Sequence, residues 1–161
     1  MLFRSAHYIK NAKNERLIED LKFYGLDISE YDKKEMILNL CKDRSNTLIE
    51  LKDGIEMIMN LPTEFNAKGV KKFIKETTFD MLDNYIELLL SQDEMLDTAS
   101  KVEDITKPFI AQHELKFPQL FQPIRIALTG GTNAPSVYDM IAILGVEETV
   151  NRIKTAKENN F

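Results

Sequence analysis

The chain has 161 residues, 43% hydrophobic and 29% charged, with a net charge of −5. That size and balance suit one ordinary domain or two small helical subdomains and exclude a disordered chain. The acidic excess excludes broad, charge-driven binding to polyanions, so any nucleic-acid contact must rest on a localised patch. The longest strongly apolar run, Tyr85 to Leu90, is interrupted by Glu87 and is far too short to span a bilayer, so no membrane partner is expected. Met1-Leu2-Phe3-Arg4 leads straight into polar sequence without a signal peptide. The single Cys41 cannot close an internal disulfide, which points to a reducing, cytoplasmic setting. Within an apolar-periodic stretch, that thiol reads as a buried small hydrophobe.

Apolar residues recur at helical spacing almost everywhere and strand-like alternation is almost absent, which predicts an all-α fold of about eight or nine short helices. Leu17, Leu21 and Phe23-Tyr24 give one helix, stopped near Gly25; Met36, Ile37, Leu40 and Cys41 give a second. Thr47 with Glu50 has the spacing of a capping box before Leu48, Leu51, Ile55, Ile58 and Met59, a helix that Pro62 closes. Asn66 is placed to cap a short helix carrying Val70, Phe73 and Ile74. Phe79, Leu82, Ile86, Leu89 and Leu90 form the clearest apolar stripe. Ser100 with Glu103 offers a second capping box before Val102, Ile105 and Phe109. Pro118 suits the first turn of the following helix, and Pro135 and Gly145 bracket another. A last helix carries Val146, Val150 and Ile153, then frays through Glu158 to Phe161. Seams are expected where Pro62, Asn66 and Gly69 cluster and near Leu115 to Pro118, which divides the chain into packed helical subdomains at 1–64 and 65–161.

Little in this pattern points to catalysis. His7 and His113 have neither HExxH spacing nor a Cys partner, so no metal site is expected. Gly130-Gly131-Thr132 lacks the GxxxxGK[ST] arrangement that cradles a nucleotide phosphate, and no GxGxxG occurs. Ser5, Ser45, Ser100 and Ser136 have no His arranged as a base, and the acid pairs Glu147-Glu148 and Glu19-Asp20 read as solvated helix faces. The basic residues say more. Lys68, Lys71, Lys72 and Lys75 fall on one side of a short helix, as a solvated face or as contacts to backbone phosphates. Arg152, Lys154 and Lys157 allow the same two readings, and a complement to a helix C-terminus as a third. Arg44 and Arg125 each stand at a helix edge beside turn-forming neighbours, where a guanidinium fork reads a base edge or stacks on its face. The structural alternative is an ion pair, such as Arg44 with Asp43 or Glu50. Residues 122–145, QPIRIALTGGTNAPSVYDMIAILG, form a polar loop clamped between two helices with a cation beside it.

That stretch is similar to the C-terminal signature of bacterial glutamyl-tRNA synthetases, class I aminoacyl-tRNA synthetases with Q-P-[LI]-R-x-A-L-T-G, a short loop, a Pro and a helix ending in Leu-Gly. Gln122 to Gly130, Pro135 and Leu144-Gly145 carry the match. Arg44 to Leu51 resembles the family's R-x-x-T-L-x-E-[LF], and His7-Tyr8-Ile9-Lys10 its Tyr-Ile segment, in the right order across nearly the whole chain. The resemblance implies an α-helical cage that binds the anticodon of tRNA. It also implies that catalysis, with ATP and Mg²⁺, belongs to an N-terminal portion absent here, so this chain is expected to be a non-catalytic, cofactor-free C-terminal piece. Its partners would be tRNA and its own catalytic domain, in a monomeric cytoplasmic enzyme. By the same resemblance Arg44 lies near the third anticodon base and Arg125 near the first. Asn133, Ala134, Pro135, Ser136 and Val137 match positions that pack on and hydrogen-bond to the middle and first bases. Ala134-Pro135-Ser136-Val137 stands where the family often has Thr-Pro-Gly-Leu, so Ala134 lacks a hydroxyl and leaves backbone contacts and Pro packing. Phe3 and Ser5 stand where Trp and Asn are common. Anticodon bases are single-stranded and readable on their edges, which reconciles selective recognition with an acidic chain. Two alternatives stay open: an enzyme that also or instead charges tRNA(Gln), and a helical protein-interaction module on the same scaffold.

Overall fold

The computed structural model describes residues 2–159 and 161, with side chains from His7 onward. Met1 and Asn160, and the side chains of Phe3 and Ser5 that depart from the family pattern, lie outside the described residues. Among those described there are nine helices and no strand: α1 (Leu2–Asn11), α2 (Asn14–Phe23), α3 (Lys34–Lys42), α4 (Leu48–Met59), α5 (Ala67–Phe73), α6 (Glu76–Leu90), α7 (Ala99–Gln112), α8 (Phe117–Thr129) and α9 (Val137–Glu158). They fall into two compact units, Met1–Met59 and Asn60–Phe161.

In the first unit each amphipathic helix turns one stripe inward: Leu17, Ile18 and Leu21 from α2, Ile37, Leu38 and Cys41 from α3, and Leu51, Ile55 and Ile58 from α4. Each fully buried aliphatic side chain contributes about 1.5–3 kcal/mol. α2 stops as the sequence predicts. Gly25 takes φ +90, its N–H bonds Lys22 O, and the Leu26 N–H reaches back to Leu21 O, both at 3.0 Å. This paired closure needs a left-handed residue, which glycine adopts without strain. Thr47 Oγ1 accepts the Glu50 N–H at 3.0 Å, while the Glu50 carboxylate accepts the Asn46 N–H at 2.8 Å. The capping box therefore closes one residue earlier than its ideal form.

The second unit buries Leu82, Tyr85, Ile86 and Leu89 of α6, Val102, Phe109 and Ile110 of α7, and the inner faces of α8 and α9. Tyr85 Oη and Thr106 Oγ1 share a buried hydrogen bond of 2.8 Å, and the Thr106 hydroxyl also bonds Val102 O at 2.7 Å. Burial pushes the Tyr85 phenol well above its ordinary pKa. Gly145 takes φ +83 inside α9, so the element is two helices meeting at a break, as the Pro135–Gly145 bracket predicts. Two expectations are overturned. Thr98, not Ser100, caps α7: its backbone is extended and its hydroxyl accepts the Lys101 N–H at 3.2 Å, which leaves Ser100 inside the helix. The C-terminus does not fray to its end, because Phe161 is buried, with its ring 5.6 Å from Phe65 and 6.3 Å from Phe79. No described helix is long and apolar enough to cross a membrane.

Candidate nucleic-acid interface

The loop between α8 and α9 is held by three successive devices. α8 begins with Pro118 in its first turn and the Lys116 N–H on Gln119 Oε1 at 2.6 Å. Its inner stripe, Leu120, Ile124, Ala127 and Leu128, is wholly buried and sets the helix rigidly on the core. At its end Gly130 turns left-handed with φ +86 and returns its N–H to Ile126 O at 2.7 Å. Thr129 Oγ1 donates to Arg125 O at 2.8 Å and lies 3.3 Å from the Gly131 N–H, which stitches the turn to the helix.

The second device is the 62–66 segment. Gly130 O accepts the Asn66 N–H at 2.7 Å, and a Cβ at Gly130 would stand 2.3 Å from Glu64 O. The Asn66 side chain simultaneously caps α5, accepting the Gly69 N–H at 2.7 Å. α5 lies on α8 and the loop at near-backbone distance: a Cβ on Gly69 would be 2.9 Å from Thr132 Cγ2 and 3.2 Å from Ile126 Cδ1. Asn66 thus fixes the lysine-bearing helix beside the loop.

The third device is Arg152, whose charge does complement a helix C-terminus, but that of α8 and not of its own helix. Instead of joining Lys154 and Lys157 on a basic face, Arg152 is 1% exposed, donating from Nη1 to Leu128 O at 2.9 Å and from Nε to Glu148 Oε1 at 2.9 Å. Leu128 O is among the last carbonyls of α8, which have no partner within the helix and carry the negative end of its dipole. The guanidinium satisfies it, on the turn immediately before the loop. The Glu148–Arg152 spacing of four was the available signal. Lys157 is likewise occupied, by Asp83.

Within this frame Arg125, half-buried, donates from Nε to Pro135 O at 3.3 Å and so ties the entering helix to the exit of the loop. Asn133 is exposed and Ser136 half-buried, whereas Ala134, Pro135 and Val137 are buried. The structure therefore brings Arg125, Asn133, Ala134, Pro135, Ser136 and Val137 together, but the three apolar side chains support the loop from within. Polar reach toward solvent falls to Asn133, Ser136 and the loop backbone. Lys68, Lys71 and Lys72 stand exposed on α5, while Lys75 does not belong to that helix: Ile74 is extended, and Lys75 is the N-cap of α6. Its ammonium still bonds Lys71 O at 3.0 Å, so the lysines remain one neighbourhood.

Arg44 belongs to the other unit, on the turn after α3, exposed, with its N–H on Cys41 O at 3.1 Å. Next to it the Ser45 hydroxyl bonds the same carbonyl at 2.8 Å. Burial pushes the Cys41 thiol up to about 11, with the Arg44 charge pulling the other way. Among the described residues no group of three or more His, Cys, Asp or Glu side chains is placed to hold a metal.

An all-α chain with a rigid polar loop and a lysine-bearing helix beside it belongs to the anticodon-binding domain family, whose model matches residues 10–157. Its relatives are specific. Over all 161 residues it is 56% identical to glutamate–tRNA ligase 1 of Aliarcobacter butzleri strain RM4018, covering 34% of that protein. Glutamate–tRNA ligase 2 of Campylobacter fetus subsp. fetus strain 82-40 is 38% identical over 154 residues, 96% of this chain and 33% of the relative. The chain thus spans about a third of the length of these relatives. In fold it is similar to the crystal structure of a glutamate tRNA ligase from Elizabethkingia meningosepticum CCUG26117 in complex with its amino acid. That match has a TM-score of 0.83 at 22% identity, covering 96% of this chain and 31% of the other.

Proposed function

We propose that this chain reads the anticodon of tRNA(Glu) on behalf of a glutamate–tRNA ligase, whose ATP- and Mg²⁺-dependent chemistry resides in a catalytic portion beyond the matched third. The observation that supports this most directly is Arg125 held on Pro135 O, at the edge of a rigid loop that exposes Asn133 and Ser136. A splayed base needs such a surface: fixed donors and acceptors in place before binding, so that little ordering cost falls on recognition. Arg125 is assigned to the first anticodon base, the Asn133–Val137 segment to the middle and first bases, and Arg44, from the first helical subdomain, to the third. Lys68, Lys71, Lys72 and Lys75 are assigned to backbone phosphates, which add affinity without sequence preference. No residue of this chain is assigned to ATP or Mg²⁺. The partners are tRNA and the ligase's own catalytic portion, in a monomeric cytoplasmic enzyme.

The test is titration of the chain with anticodon stem-loops, native and singly base-substituted. Each good guanidinium–base contact discriminates by about 1–3 kcal/mol, by analogy with duplex readout. Substitution of the first base should weaken binding in the wild type and have little further effect in Arg125→Ala. Equal affinity for all stem-loops would overturn the reading in favour of a protein-interaction module. Glutamylation of tRNA(Glu) and tRNA(Gln) by the full-length enzyme distinguishes strict from dual charging.

A further inference from the structure

We infer that Lys72, Lys75 and Lys116 line a cleft that seats a backbone phosphate of the bound RNA. The cleft, of about 350 Å³, lies where the α5–α6 turn meets the start of α8. It rests on the anticodon-reading proposal and adds a site to it. Three of its lining residues are lysines and none is acidic, in a chain with 26 acidic and 21 basic residues. Sequence places Lys116 far from the other two; only the fold brings it alongside them.

The cations come from separate elements: Lys72 from α5, Lys75 at the N-cap of α6 and Lys116 at the N-cap of α8. Two are already tethered. Lys72 Nζ sits 5.2 Å over the ring of Phe73, itself a wall of the cleft, and Lys75 Nζ bonds Lys71 O at 3.0 Å. Tethering lowers the side-chain entropy lost when an anion is captured. Thr77 and Gln119 line the cleft as neutral donors; Gln119 Oε1 accepts the Lys116 N–H, which leaves the amide NH₂ to donate. Apolar walls beside the charges focus their field.

The occupant follows from α8. The cleft takes in the first turn of that helix, and the proposed base-reading residues begin at Arg125 on its last turns. Arg125 lies six to seven residues beyond Pro118 and Gln119, about 10 Å along the axis, so a strand laid along α8 would place a phosphate flanking the read bases in the cleft. Lys68 does not line it, which divides the lysines into two groups.

The experiment measures the salt dependence of stem-loop binding for the wild type and for Lys72→Gln, Lys75→Gln, Lys116→Gln and Lys68→Gln. Loss of one phosphate contact lowers the slope of log K against log salt by about 0.7–0.9. Lys116→Gln, Lys72→Gln and Lys75→Gln should each show that loss and a severalfold weaker binding in low salt. The ratio between native and base-substituted stem-loops should stay unchanged, and Lys68→Gln, which removes a phosphate contact outside the cleft, should lower the slope while leaving competition by inorganic phosphate at the cleft as in the wild type. A wild-type slope in Lys116→Gln overturns the cleft while base discrimination by the wild type keeps the anticodon reading intact. Loss of base discrimination in the wild type itself overturns the reading beneath it. Inorganic phosphate should compete in the wild type and not in Lys116→Gln; competition equal in both would also overturn the cleft.

Discussion

Replacing Gly130 with Ala tests the loop's construction at its tightest point. The residue holds φ +86, and a left-handed conformation costs an L side chain about 1–2 kcal/mol. The new Cβ would stand 2.3 Å from Glu64 O, a separation that real atoms do not adopt, so backbone must move on one side. The movement opens the 2.7 Å bond from the Asn66 N–H to Gly130 O, worth about 1 kcal/mol. Together these predict a loss of about 2–3 kcal/mol, or a fall in Tm of roughly 5–10 °C for a chain of this size. Gly131 supplies the internal control: a Cβ there meets nothing within 4 Å and its φ is not positive, so Gly131→Ala should change stability by less than about 0.5 kcal/mol. Urea and thermal denaturation of the pair give the comparison. Because Asn66 also caps α5, Gly130→Ala should weaken stem-loop binding along with stability. Equal stability of the two variants would refute the argument that the 62–66 segment clamps the loop.

Arg152→Ala leaves the buried Leu128 carbonyl without its guanidinium while the released Glu148 stays solvated, and should cost about 1–3 kcal/mol, measured by denaturation, whereas Lys154→Ala on the exposed face should cost little. Glu114 is the one non-glycine residue among those described with a positive φ, at 53°, and closes α7 by the same paired pattern that Gly25 uses on α2. Glu114→Gly should therefore raise stability by about 0.5–1 kcal/mol in the same assay. The Cys41 thiol, raised from 9.0 to about 11 by burial, stays protonated in the folded chain while the unfolded chain ionises. Between pH 9 and 11 the folded state holds more protons, so stability should fall as pH rises, by at most about 1.4 kcal/mol per unit; Cys41→Ala should flatten that part of the profile.

Helix existence was legible because apolar spacing alone reports it, and punctuation by Gly25, Asn66, Pro118 and Gly145 placed several boundaries where the structure has them. Caps were harder. Thr98 and Ser100 are chemically equivalent candidates, and only the extended backbone at Thr98 decides between them. The arginines show the limit more sharply. Arg125 and Arg152 look alike in sequence, yet one is half-buried on the edge of the loop and the other is sealed beneath α8, because α9 packs its inner face there. Local pattern reports which face a residue occupies and not which neighbour covers that face. For the same reason the local pattern around Ala134, Pro135 and Val137, at the loop's exit and the start of α9, does not show their inward packing, and nothing around Lys116 marks it as a neighbour of Lys72 and Lys75.

We propose that the Arg125–Pro135 loop reads an anticodon base. The most direct measurement is the affinity of wild type and Arg125→Ala for the native stem-loop and for one substituted at the first anticodon base. A discrimination of about tenfold or more in the wild type, collapsing toward one in Arg125→Ala with the fold intact, is the expected result. Discrimination that survives unchanged in Arg125→Ala would contradict it.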